Sequence, residues 1–293
     1  AGTPLGRGAP GVSSRSRLQV PAQGKLNLGL SVTGRRPDGF HEITTLFARI
    51  ELADEVTVEV FPGSTGVTLE LRGDGTGAER RGGLPLDHSN LAVRAAGAFL
   101  RAASLDGTHA VHLELLKRIP IAAGLGGGSA DGGAVLRALA RTFPEVLPPR
   151  ELEALALDLG SDVPFFLLDA PAAVGRGRGE LLEPVELDPF HVVLANPGVA
   201  VSAGEAYAQV QEFNEPPELL PRDGVARPCP GNDLQAGVIR LQPVVGRVLS
   251  ELQAACLKGV QMSGSGATCF GSADSADQAR AAAQALRTAR PDW

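Results

Sequence analysis

The sequence predicts an α+β fold in a chain long enough for one large domain or two smaller ones, and three features bear on it. Apolar residues alternate with polar ones over 54–60 and again over 67–71, in short segments that follow one another as antiparallel strands do. Helix-compatible segments are present, but no chain of βαβ units surrounds them. The segment APAAVGRGRGE, at 170–180, is rich in glycine and arginine and interrupts the chain past its middle. The expected division is an extension over residues 1–17, a first domain over 18–170 and a second over 171–293.

The 293 residues, 43% of them hydrophobic, suffice for a sizeable core. A net charge of −6 gives no general positive field for nucleic acid or an anionic membrane, so any phosphate site must be local. Cys229, Cys256 and Cys269 lack CxxC spacing and fit neither a disulfide framework nor a zinc site, which points to a reducing cytoplasm. No apolar run approaches the length of a membrane span, and no signal-type segment follows the first residues. Lysine occurs only at 25, 117 and 258.

Residues 1–17, AGTPLGRGAPGVSSRSR, have no apolar period and are expected to stay outside the fold. From Val20 to Val32, Leu26, Leu28, Leu30 and Val32 alternate with Lys25, Asn27, Gly29 and Ser31, the period of a half-buried strand with Lys25 and Asn27 on one face. A basic turn, Thr33 to Gly39, suited to meeting a charged ligand, leads to Phe40, His41 and the apolar stretch 43–50. Strands are expected at 54–60, 67–71 and 110–116, with a helix over 91–103 capped by Ser89 or Asn90. Further helices are expected over 130–142 and, opened by Pro148 and Pro149, over 151–159. Beyond the middle come a buried-type strand at 191–195, a Pro-rich connection at 211–231, one helical stretch from Asn232 into Leu257, a glycine-serine loop at 262–267 and a last helix over 275–289.

Between strand and helix lies IPIAAGLGGGSADGG, residues 119–133. Glycines at 124, 126, 127 and 128 allow left-handed backbone and leave no Cβ in the way of an anion, while a helix capped by Ser129 would aim its N-terminus at the same anion. The stretch is therefore a candidate phosphate cradle, with a flexible surface loop as the plain alternative. It is not Walker A, having no lysine, and not the dinucleotide fingerprint, having Ser129 at the third glycine position.

If the cradle holds a nucleoside triphosphate, phosphoryl transfer also needs cationic charge, a positioned hydroxyl and a base. Lys25, Ser129 and Asp162 are the candidates, although their spacing alone does not bring them together. Each has a plain alternative: Lys25 as a solvated edge charge, Asp162 as a cap of the segment after it, and Arg35 and Arg36 as a solvated turn. The five histidines show no metal-ligand spacing.

Four segments, KLNLGLSVTGRRPDGFHEITTLF (25–47), IPIAAGLGGGSADGG (119–133), LGSDVPFF (159–166) and MSGSGATCF (262–270), together resemble the motifs of the GHMP kinase superfamily in their usual order. The resemblance implies an N-terminal ATP-binding domain and a C-terminal α/β sandwich domain with the active site in the cleft between them. It implies ATP and Mg2+ as co-substrates, with no metal ligands assigned. The first motif is similar to that of members acting on a cytidylylated methylerythritol, whose 2-hydroxyl would accept the γ-phosphoryl group. By this resemblance Asp162 is the base and Lys25 stabilises the developing alkoxide. Gly124, Leu125, Gly126, Gly127, Gly128 and Ser129 form the triphosphate loop, and Asn90 meets the adenine end. Asn27, Phe40, His41 and Tyr207 lie near the substrate, with the base between Phe40 and Tyr207 and its edge read by His41. Tyr207 remains open to a second reading, as an ordinary residue of an amphipathic helix. Gly24, Phe40, Ala130 and Ser161 depart from the family's usual alanine, tyrosine, serine and alanine without removing a reacting group.

The partner implied is this small molecule, with neither nucleic acid nor membrane, and the chain works as a monomer or weak homodimer. The same fold acting on another small alcohol, or holding nucleotide without chemistry, are the competing readings; CMP competition separates the first.

Overall fold

The computed structural model describes residues 15–73, 83–215 and 231–293. The first strand, β1, runs from Ser16 to Arg35, and β2 from His41 to Pro62. The two pair antiparallel along their whole length, with irregular register between Gln23 and Lys25, Asn27 and Leu30, and Val32 and Gly34. The other edge of β2 is shared: its C-terminal part pairs with β4 (His109–Leu116) and its N-terminal part with β5 (Ala172–Gly177). Outside these, β3 (Val67–Leu71) lies parallel to β4, and β6 (Leu181–Val185) antiparallel to β5, giving six strands.

Helices α1 (Leu91–Ala102), α2 (Gly127–Thr142) and α3 (Pro149–Leu159) cover one side of this sheet. Between them and the strands lies a core that includes Val56, Val58, Leu113, Leu115, Phe99 and Leu136. A second sheet, in the order β7 (His191–Ala195), β9 (Cys269–Ala273), β8 (Lys258–Met262), is antiparallel and packs with α4 (Ala203–Tyr207), α5 (Gln235–Leu241), α6 (Pro243–Ala254) and α7 (Ala276–Ala289). Leu30 and Val32 of β1 and Ile43 of β2 belong to this second core. Leu26 and Leu28 belong to a third cluster with Ile119, Leu125 and Phe270. Burial of each such leucine contributes about 2 kcal/mol.

Several expectations need correction. Over residues 24–30 β1 is buried on both faces, with Lys25 4% and Asn27 2% exposed, because each face there meets a packed layer where the alternating pattern anticipated solvent on one side. Residues 16 and 17, assigned to the extension, open β1; residues 1–14 lie outside the described residues, as do 216–230 of the Pro-rich connection. The stretches 43–50 and 54–60 form one strand, and β3 joins β4 in parallel instead of continuing an antiparallel series. The Gly/Arg-rich segment at 170–180 supplies β5 and its turn, so the larger sheet extends to Val185. The helical stretch after Asn232 is broken at Gln242, because Pro243 lacks an N–H and keeps the residue before it out of helical geometry. Elsewhere the signals hold: Asn90 caps α1, Pro149 opens α3 and the last helix, α7, ends at Ala289, though it begins at Ala276 with Ser275 as its cap.

Candidate active site

The glycine stretch turns between β4 and α2. Gly124 and Gly126 adopt left-handed φ of 75° and 68°, and Gly126 is the cap of α2. Ser129, expected as that cap, lies inside the first turn, since the helix begins two residues earlier, at Gly127. The first-turn N–H groups lack intrahelical partners and carry the positive end of the helix dipole, so this geometry accepts an anion. Leu125 turns away: its side chain is buried in the third cluster, and its carbonyl accepts the Lys25 N–H at 2.9 Å. That bond ties β1 to the cradle.

The Lys25 ammonium donates to Asn27 Oδ1 at 2.6 Å, stands 3.5 Å from Asp162 Oδ2 and lies 5.2 Å from the centre of the Phe47 ring. Asn27 Nδ2 donates to Thr45 Oγ1 at 2.8 Å, and that hydroxyl donates to Gly29 O at 2.6 Å, a buried relay that fixes the amide facing Lys25. Asp162 follows α3 on the turn before the short 3-10 segment Pro164–Leu167, and its side chain is 35% exposed. The chain after it is held by Arg49 of β2, which donates to the carbonyls of Phe165, Leu168 and Ala170, and by Arg137 of α2, which donates to Phe166 O. Burial lowers the pKa of both guanidinium groups, that of Arg137 to about 10.

The glycine-serine loop at 262–267 closes the other side. The Asn27 N–H donates to Ser263 Oγ at 3.3 Å, and that hydroxyl donates to Gly124 O at 3.0 Å. Asn232 Nδ2 donates to the carbonyls of Met262 and Gly264, both at 2.8 Å, so the segment leading into α5 positions this loop.

A cleft of about 840 Å³ joins these elements. It is lined at one end by Gly124, Gly126, Gly127, Gly128 and Ser129, in the middle by Lys25, Asn27 and Asp162, and at the other end by Phe40, His41 and Tyr207. Thus eleven of the thirteen candidate residues line one cavity. The exceptions are Leu125 and Asn90, whose Oδ1 accepts the Ala92 N–H at 2.9 Å and whose Nδ2 donates to Pro85 O at 2.8 Å. The Asn90 amide caps α1 through Oδ1 and holds the preceding chain through Nδ2; its neighbour Leu91 lines the cleft.

At the aromatic end, His41 stacks on Tyr207 with ring centres 5.1 Å apart and planes 19° apart, while Phe40, 51% exposed, carries the Arg178 guanidinium 4.7 Å from its ring centre. The Tyr207 face toward His41 is therefore occupied by the imidazole. Burial, then the nearby Arg35, pushes the His41 pKa down; burial, then Asp162, pushes that of Tyr207 up.

The basic turn expected to meet a charged ligand does place Arg35 in the cleft; sequence reasoning missed Arg178, and also a buried cluster beneath the cradle. There Lys117 bonds Asp54 Oδ2 and, at 2.8 Å, Asp131 Oδ2. Asp54 Oδ1 accepts the N–H groups of Arg118 and Ile119, whereas Asp131 Oδ1 has no partner. Burial, opposed by Lys117, raises the Asp131 pKa to about 7. The scarcity of lysine was the available signal; no spacing links 54, 117 and 131.

The model for GHMP kinases N terminal domain matches residues 90–170, and that for GHMP kinases C terminal matches 217–292. The chain is 46% identical to the 4-diphosphocytidyl-2-C-methyl-D-erythritol kinase of Deinococcus radiodurans, over 93% of this chain and 89% of that one. It is 42% identical to the enzyme of that name from Thermus thermophilus, over 93% and 94%. A crystal structure of a 4-(cytidine 5'-diphospho)-2C-methyl-D-erythritol kinase superposes with a TM-score of 0.76 at 41% identity, covering 92% of this chain and 96% of that one. A cradle facing a lysine and a carboxylate, on a chain so closely related to these enzymes, is that of an ATP-dependent kinase: the chain belongs to the GHMP kinases, in the 4-diphosphocytidyl-2-C-methyl-D-erythritol kinase family.

Proposed function

We propose that the enzyme transfers the γ-phosphoryl group of ATP to the 2-hydroxyl of 4-diphosphocytidyl-2-C-methyl-D-erythritol, in the cytoplasm, on the non-mevalonate route to isoprenoid precursors. The observation that carries this reading is the approach of Lys25 Nζ to Asp162 Oδ2, 3.5 Å, in a cleft with a glycine cradle at one end and aromatic rings at the other. Asp162, partly open to the cleft, accepts the proton of the acceptor hydroxyl; Lys25, buried and oriented by Asn27, stabilises the developing alkoxide. The backbone at Gly126, Gly127 and Gly128 and the Ser129 hydroxyl hold the triphosphate, while Asn90, by capping α1, sets Leu91 at the adenine end. Phe40, His41 and Tyr207 form the cytosine end.

The donor set of the cleft fits Mg2+ held chiefly by nucleotide phosphates, since Asp162 is its one carboxylate and Ser129 adds a hydroxyl within the first turn of α2. When bound, Mg2+ neutralises charge on the β- and γ-phosphates. Among the described residues no group of three or more His, Cys, Asp or Glu residues makes an independent metal site, and no helix is long and apolar enough to cross a membrane.

The test is ADP release from ATP and the cytidylylated substrate by wild type and Asp162→Asn. The variant is expected to lose about 10²- to 10⁴-fold in kcat with little change in KM for ATP. No turnover by wild type, or full activity in the variant, contradicts the reading; failure of CMP to compete transfers the activity to another alcohol.

A further inference from the structure

The two adjacent arginines of the basic turn have different surroundings. Arg36 is engaged within the turn, with Nε donating to Asp38 at 3.1 Å and Nη1 to Glu42 at 2.9 Å. Arg35 lines the cleft near His41, and its side chain has no hydrogen-bond or ion-pair partner among the described residues. On the turn after β5, Arg178 lines the same end, its guanidinium over the Phe40 ring.

Arg178 has one loose ion pair, to Glu180, whose carboxylate also serves the backbone of the same turn. Glu180 Oε1 is 3.8 Å from Arg178 Nε, beyond hydrogen-bond length, and Glu180 Oε2 accepts the backbone N–H of Arg178 at 2.5 Å. Asp38, also within electrostatic reach, accepts from the Phe40 N–H and from Arg36. Among the described residues, the aromatic end of the cleft therefore carries one guanidinium without an ion pair, that of Arg35, and one paired only at 3.8 Å, that of Arg178. Such a pair calls for an anion, and the planar fork of arginine suits phosphate. The rings of Phe40, His41 and Tyr207 beside it specify a phosphate attached to a flat, aromatic group. The triphosphate of ATP belongs to the glycine cradle at the opposite end, so this is a second phosphate locus.

We propose that Arg35 and Arg178 form the subsite for the diphosphate of the acceptor substrate and determine its preference for a nucleoside diphosphate over the bare nucleoside. This rests on the cytidine reading above and assigns the charge that reading leaves unmatched.

The experiment measures calorimetric binding of CDP, CMP and cytidine with the cradle filled by a saturating non-hydrolysable ATP analogue. Wild type is compared with Arg35→Met, Arg178→Met and the double variant, in which methionine keeps an apolar stem and removes the charge. Each single variant is expected to weaken CDP binding about tenfold, and the double variant about a hundredfold, with cytidine held within about twofold. Arg178→Lys, retaining charge without the fork, recovers part of the CDP affinity. Unchanged CDP binding in the double variant, or equal weakening of CDP and cytidine, overturns the proposal. Wild type that binds cytidine and CDP equally well overturns the diphosphate subsite alone. Wild type that binds no cytidine compound overturns the base reading and this inference with it.

Discussion

Substitution of Gly124 by alanine strikes the point where three parts of the site meet. A Cβ there would lie 2.1 Å from Ser263 O, 2.9 Å from Gly266 N and 3.0 Å from Gly266 O, on a backbone with φ of +75°. The left-handed conformation alone costs an L-residue about 1 kcal/mol. The contacts are with backbone, so no rotamer change relieves them, and overpacking of this kind adds about 1 to 3 kcal/mol. The expected total is about 2 to 4 kcal/mol of destabilisation. Part of the strain is relieved by parting the cradle from the 262–267 loop, which raises KM for ATP about tenfold or more, given that 1.4 kcal/mol is tenfold. Gly107→Ala is the control: its φ is +81°, yet a Cβ there meets nothing within 4 Å, so it carries the backbone cost without the collision. Urea unfolding and ATP-dependent steady-state kinetics on both variants make the comparison. Equal stability of the two variants, with KM for ATP unchanged in Gly124→Ala, refutes the reasoning.

Thr45→Val removes the hydroxyl that accepts from Asn27 and donates to Gly29 O, leaving both partners buried and unsatisfied; stability is expected to fall by about 1 to 3 kcal/mol by urea unfolding, and kcat about tenfold as Asn27 releases Lys25. Asn90→Ala removes the α1 cap and is expected to lower stability by about 1 kcal/mol in the same assay. For Asp131, the folded pKa near 7 lies above the ordinary 3.8, so between these pH values the folded state holds a proton that the unfolded state has lost, and stability falls as pH rises through that window. Asp131→Asn abolishes this slope. Relative to the variant, wild type is expected to lose about 2 kcal/mol between pH 5 and pH 8, read from urea unfolding across the range; parallel curves contradict the assignment.

Local signals in the sequence were strong where the causes were local. The Asn90 cap, Pro149 at the start of α3 and the glycines of the cradle act through backbone geometry within a few residues, and each appears where expected. The candidates Lys25 and Asp162 do meet, but through contacts no pattern encodes: Arg49 reaching the carbonyls of residues 165, 168 and 170, and Leu125 O fastening β1 to the cradle. Alternation located β1 and misjudged its surroundings, because a period of two cannot tell water from a second packed layer. Arg35 and Arg36 are neighbours of the same type, and only the partners of Arg36 distinguish them. The GRGRG run was informative as composition, but its role as a strand that brings Arg178 to Phe40 depends on pairing with β2.

β1 serves both cores, with its backbone bonded to Gly231 and Asp233 and its Leu30 and Val32 buried in the second layer. The protein is therefore poorly suited to modular exchange. A fragment ending in the connection between β6 and β7 would keep Lys25, Asp162 and the whole cradle, yet expose the apolar end of the strand that supplies the lysine. Its complement would keep the loop that braces Asn27 and lack every proposed reacting group. Divided at that connection, the chain is expected to give two halves that are inactive apart, with phosphoryl transfer on mixing as the measure of their reunion.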